Sequence, residues 1–191
     1  MGRTTDRGGQ QSALLAEALN GGQTGGIVAR WRKGERTVGF LVSRGRLESF
    51  EAVDLAALAE ARVKRAALRL DVTATAALQM GDVDGAYVAA YDAYRMTAEA
   101  LLARQGLRAT GGEGAHMAVE DAVSAQFAAG IPAFAKPTYE RLGRTRNTAQ
   151  YFDPSAAPIN EADASWAIAK ATAALSGVRA LLVSSPPDRF G

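Results

Sequence analysis

The residues of this chain best suited to chemistry lie between Tyr139 and Asp153, where Arg141, Arg144 and Arg146 are followed by Asn147 and Tyr151. A guanidinium grips phosphate oxygens with paired, charge-assisted hydrogen bonds, and an asparagine amide can orient the same group. On a helix the three arginines do not share one narrow stripe. The plain alternative is therefore a basic surface whose aliphatic stems cover Leu142, Ala149 and Tyr151. A second set, Asp92, Arg95 and Glu99, falls at i, i+3 and i+7 and so shares a helical stripe. Such a stripe is either a solvated face of weak ion pairs or the polar wall of a cleft with Arg95 offered to phosphate. His116 is the one histidine, and no serine or carboxylate stands at motif spacing to build a nucleophilic triad with it. Its readings are a capping or structural role, or a cleft wall beside Asp92. Gly111-Gly112-Glu113-Gly114 opens a helix, where free amides can meet a phosphate. No Gly-Lys-Ser/Thr follows, and no strand with the dinucleotide fingerprint precedes it, so it reads as a plain loop.

Composition narrows the chemistry. The chain has no cysteine and one histidine, which excludes disulfides, thiol nucleophiles and cysteine-ligated metals and makes other metal sites improbable. No metal and no cofactor is expected. The 22 Lys and Arg stand against 20 Asp and Glu, a small basic surplus whose meaning depends on clustering. Clusters occur at Arg30, Arg32, Lys33 and Arg36, at Arg44 and Arg46, and at Arg141, Arg144 and Arg146. Charges interrupt apolar stretches such as Tyr87 to Ala90 before the ~18 residues of a membrane span, and the N-terminus has no signal-like apolar region. A cytoplasmic protein with no membrane partner is the expectation.

The elements that must carry these residues follow from periodicity. Residues 1–50 read as an N-terminal extension, partly helical or loosely docked. It has a short apolar run at Ala13 to Leu19, and an ambiguous stretch from Ile27 to Val42 that leans to helix and ends at Gly45. From Val53 to Gly81, Ala56, Ala59, Val63, Ala66, Leu70, Ala74 and Ala77 recur every three or four residues, which predicts a long amphipathic helix. Tyr87, Tyr91, Tyr94, Ala98, Leu101 and Leu102 predict a second helix up to Gly106, antiparallel to the first across a short turn. A third runs from His116 to Ala129, and a fourth starts near Pro137. A last helix is opened by Asn160 with Asp163 and runs through Trp166, Val178 and Leu182. The tail, 185–191, reads as loose. The fold class is all-α: an antiparallel bundle of about four or five helices spanning 51–184, with alanine letting helices approach closely.

Taken together, Gly85-Ala86-Tyr87, Ala90-Tyr91-Asp92-Ala93-Tyr94-Arg95, Ala100 to Thr110, His116 to Phe127, and Arg144 to Tyr151 with Pro154 resemble the HEPN superfamily, over about residues 50–184. The resemblance implies a HEPN-like bundle that pairs as a homodimer, with two copies of the Arg-Asn motif in a shared cleft. It also implies metal-independent RNA cleavage within a toxin-antitoxin or phage-defence module. In active members the motif is Arg, a polar residue, then His after a gap of four to six. Arg146 and Asn147 match its first half, whereas Tyr151 stands where the histidine is expected.

That substitution bears on mechanism. A phenol with a pKa near 10 is a poorer acid or base at neutral pH than an imidazole near 6.5. The expectation is therefore an RNA-binding protein or weak ribonuclease, with Arg146, Asn147 and Tyr151 at the site and Arg95, Arg141 and Arg144 holding RNA. Asp92 and His116 would be wall residues. A second reading is a catalytically silent module that binds a protein, such as a cognate toxin or antitoxin or a nucleotidyltransferase. A third is a DNA-binding regulator using Arg30 to Arg46, although that segment carries no recognisable helix-turn-helix.

Overall fold

The computed structural model describes residues 32–112, 114–150 and 157–191. The expected short helix at Ala13 to Leu19, Arg30, Glu113 and the motif residue Tyr151 with Pro154 lie outside the described residues. Within them the architecture is all-α apart from one small two-stranded sheet. In chain order the elements are α1 (Glu35–Ser43), β1 (Leu47–Ser49), α2 (Leu55–Leu68), a π-helical turn (Arg69–Ala74), α3 (Thr75–Gln79), α4 (Val83–Arg104), β2 (Leu107–Ala109), α5 (Ala115–Phe127), a 3-10 turn (Pro132–Phe134), α6 (Lys136–Gln150) and α7 (Glu161–Ser184).

The bundle is built around α4. Its side chains at Ala86, Tyr87, Ala89, Ala90, Tyr91, Ala93, Tyr94, Ala98, Leu101 and Leu102 are all buried, so the helix is covered on most sides. Alanine permits this, because a methyl side chain lets neighbouring backbones close in while losing no rotamer freedom. The most extensive packing is against α7 and α2. Tyr94 anchors the far side: its hydroxyl donates to the Ala133 carbonyl at 2.7 Å, and its ring meets Phe134 and Tyr139 edge-on at 5.5 and 4.8 Å. Reciprocal amide bonds of 2.8 and 3.1 Å between the buried Gln105 and Gln126 join the end of α4 to α5.

Helix ends fall where the sequence signals them. Asp54 caps α2 by accepting from the Ala57 amide at 2.9 Å, and Asp82 caps α4 by accepting from Gly85 at 2.8 Å. Asn160 and Asp163 form a reciprocal capping box at α7. Gly106, at φ 71°, turns the chain out of α4 in a conformation that favours glycine. The first expected helix is not uniform. It passes through the π turn, where the Thr75 hydroxyl donates to the Leu70 carbonyl at 3.2 Å. Ala56, expected inside, is exposed.

Two expectations need amendment. The segment after Ser184 is docked rather than loose: the Phe190 amide donates to the Gln105 carbonyl at 2.9 Å, Arg189 pairs with Glu51, and Pro187 is buried. Charges do not interrupt every apolar stretch, because α7 has a window of mean hydropathy 1.3 and is long and apolar enough to cross a bilayer by length and composition. Much of that score comes from alanines, and here Ala164, Ala167, Ala171 and Ala174 are buried in the bundle. The sheet, which periodicity did not show, pairs Leu47 with Ala109 and Ser49 with Leu107, and it buries Leu47 and Leu107. It ties the α1 region to the end of α4.

The cap of α4 gives a stability test. Asp82→Ala is expected to cost about 1 kcal/mol in urea unfolding. A Cβ at residue 85 would collide with the Asp82 carboxylate. Gly85→Ala should therefore give none of the ~1 kcal/mol that alanine offers a helix while Asp82 is present, and should stabilise in the Asp82→Ala background.

Candidate functional site

One face of α4 carries Tyr91, Asp92, Arg95 and Glu99, and three other helices bring side chains to it. From α2 and the π turn, Arg62 pairs with Glu99 at 2.9 Å and Arg69 pairs with Asp92 at 2.9 Å. Both pairs join residues seven apart on one helix to residues seven apart on the other, and they share one antiparallel register. Arg95 also reaches Glu99, at 3.3 Å. From the first turn of α5, His116 places Nδ1 3.5 Å from the Tyr91 hydroxyl. From α6, the Arg146 guanidinium lies 5.7 Å from the centre of the Tyr91 ring and donates to the neighbouring Asn147 side chain at 3.3 Å.

Tyr91 is thus the hinge of the cluster: its ring meets Arg146 and its hydroxyl meets His116. It is buried, and burial pushes its pKa above the usual 10, so it remains a phenol. The contact with His116, at 3.5 Å, is long for a hydrogen bond. In the Nδ1–H tautomer the imidazole donates to the phenol oxygen and leaves Nε2 as an acceptor.

Electrostatics favour the neutral imidazole. The His116 residue is exposed as a whole, but partial desolvation of its ring lowers its pKa from 6.5, and the positive charges of Arg95 and Arg146 lower it further. Glu99 and Asp92 oppose this in part. One turn on from His116, burial raises the pKa of Glu120, with the adjacent Asp121 acting in the same direction. Arg62, Arg69, Arg95 and Arg146 each hold an Nε–H that is hidden from solvent and has no acceptor among the described residues. Among the described residues of the cluster, four guanidiniums stand against the three carboxylates of Asp92, Glu99 and Glu120. The salt bridges are partly exposed, so each contributes less to stability than its geometry suggests. Asp92 and Arg69 also line an open cavity of about 440 Å³ that continues over Leu68 and Val72.

Of the residues singled out in the sequence, Asp92, Arg95, His116 and Arg146, with Asn147 beside it, come together. Arg141 is turned elsewhere: it pairs with Asp163 at 3.1 Å and stacks 3.9 Å over the Trp166 ring, fastening α6 to α7. Arg144 is exposed on α6. Arg62, Arg69 and Glu120 were not anticipated. The matching seven-residue spacings of Arg62 with Arg69 and of Asp92 with Glu99, on helices predicted to be antiparallel, were a signal for the first two. Among the described residues, no group of three or more His, Asp or Glu is placed to hold a metal ion. Compared with known proteins, the chain matches no family model, no curated protein and no solved structure.

The lowered pKa of His116 has a thermodynamic consequence. Between its folded pKa and about 6.5 the unfolded chain binds more protons, so His116 makes stability fall as pH drops through that window. Urea midpoints measured across it should show this slope in the parent protein, and His116→Gln should remove that component.

Proposed function

We propose that this protein is a HEPN-like RNA-binding protein that cleaves RNA without a metal, with His116 supplying the base that Tyr151 is ill suited to be. The observation that supports the reading is the convergence of Arg95 and Arg146 on His116 beside Tyr91. A neutral imidazole next to a cationic clamp is what transfer through a ribose 2′-hydroxyl needs. His116 Nε2 takes the 2′-hydroxyl proton, the 2′-oxygen attacks phosphorus, and the P–O5′ bond breaks. The products are a 2′,3′-cyclic phosphate and a 5′-oxygen that is protonated by water. Arg146 and Arg95 neutralise the charge that gathers on the non-bridging oxygens. Asn147 orients Arg146, and Arg144, exposed on the same helix, adds to the attraction for the RNA backbone.

The resemblance also supports a homodimer in a toxin-antitoxin or defence setting, with Arg146 and Asn147 of two copies near one cleft. Light scattering of the purified chain tests the pairing.

Incubation with cellular RNA tests the activity. His116→Ala is expected to lower cleavage by about 10² to 10⁴ while RNA is still retained. Arg146→Ala should weaken both cleavage and retention, and a chelator should change neither. A parent protein that neither binds nor cleaves RNA, or variants as active as the parent, would refute the reading.

A further inference from the structure

On the other side of the first turn of α5 lies a groove of about 460 Å³ between α1 and α5, which the reading above does not use. Its walls include Phe40, Leu41, Arg44, Arg46, Gly114 and Met117. Phe40 and Met117 are large apolar side chains that remain 57% and 66% exposed. Both line the same groove and give it an exposed apolar surface. The Arg44 guanidinium lies 5.3 Å from the centre of the Phe40 ring. Asp121, at the edge of the groove, is paired with Lys136 at 3.1 Å, so its charge is already met.

Helical geometry makes this groove a neighbour of the cleft. Successive residues on a helix point about 100° apart, so His116 and Glu120 form one stripe of α5 and Met117 and Asp121 form the next. The chain that delivers His116 to Tyr91 therefore delivers Met117 to Phe40. A strand whose scissile phosphate sits at His116 and that continues around the first turn of α5 meets this groove.

We infer that the groove between α1 and α5 binds a flanking nucleotide of single-stranded RNA, its base stacked on Phe40 and its phosphate held by Arg44. The inference rests on the RNA reading of the cleft and narrows its substrate. An exposed aromatic ring beside arginines is the usual platform for an unpaired base, and a duplex keeps its base faces stacked on one another and cannot offer one. Arg44 beside the ring and the met charge of Asp121 favour a nucleotide over a lipid tail. Phe40 belongs to a short helix that also carries Arg36, one turn before it, which adds positive charge beside the ring.

Fluorescence anisotropy of the whole protein with a fluorescein-labelled oligouridylate, and with a duplex RNA of equal length, tests this. His116→Ala is the background, so that the RNA is not consumed. Phe40→Ala should weaken single-strand binding about tenfold and leave duplex binding unchanged, with an unaltered thermal melt because the side chain is already exposed. Phe40→Trp should keep the affinity, and its emission should be quenched as RNA is added. Arg44→Ala should lower the slope of log affinity against log salt by about one.

Equal affinities of Phe40→Ala and its parent overturn the proposal, as does equal weakening on single strand and duplex. A particle mass that halves in Phe40→Ala also overturns it, because the groove would then hold a second copy of this chain. If Arg146→Ala abolishes binding while Phe40→Ala changes nothing, the groove is dismissed and the cleft reading stands. The reverse pattern keeps the groove and dismisses the cleft. An absence of any RNA binding by the parent dismisses both.

Discussion

The ion pairs that join α2 to α4 set the terms for the rest of the site. Arg69 on Asp92 and Arg62 on Glu99 occupy the two carboxylates of the α4 stripe from one side, and Arg95 shares Glu99 from its own helix. With those carboxylates engaged, the charges that bear on the open edge of α4, where Tyr91 meets His116, include the positive ends of Arg95 and Arg146. Surface pairs of this kind contribute little to stability. Partial burial of the His116 ring, with Arg95 and Arg146 nearby, holds its pKa below the ordinary value against the opposing Glu99 and Asp92.

Such an arrangement requires helices close enough for short reaches and stiff enough to hold register. The alanines of α4 meet the first need. The caps at Asp54, Asp82 and Asn160 meet the second by satisfying amides that would otherwise be orphaned at helix starts. The buried trio of Tyr94, Phe134 and Tyr139 fixes α6 against α4, and Arg141 between Asp163 and Trp166 fixes α6 against α7. Arg146 is the part of α6 that these anchors deliver. Arg141 and Arg146, five residues apart on one helix, thus divide the labour: one is a brace and the other reaches the Tyr91 ring.

The bundle was readable from spacing because each long helix repeats small or apolar residues at helical period and is bracketed by caps and glycines that act locally. Asp92, Arg95 and Glu99 were readable as a stripe for the same reason. What spacing did not give was long-range or local in another way. The sheet joins Leu47 to Ala109 through backbone bonds that leave little trace in three-residue strands, and the π turn keeps Leu70 and Ala74 buried, so apolar periodicity does not betray it. His116 was alone in the sequence and gains a role only because α5 folds back to place it by Tyr91. The sequence set Arg146 apart through the Asn147 beside it, but only tertiary packing shows Arg141 to be a brace held by Asp163 and Trp166.

The central claim is that Arg146 and His116 share one electrostatic environment although they stand thirty positions apart in the sequence. The chain has one histidine, so its imidazole signals can be followed by NMR without ambiguity as pH is varied. The account predicts a pKa below 6.5 in the parent protein that rises in Arg146→Ala. A histidine that titrates at its ordinary value, indifferent to the loss of Arg146, would contradict it.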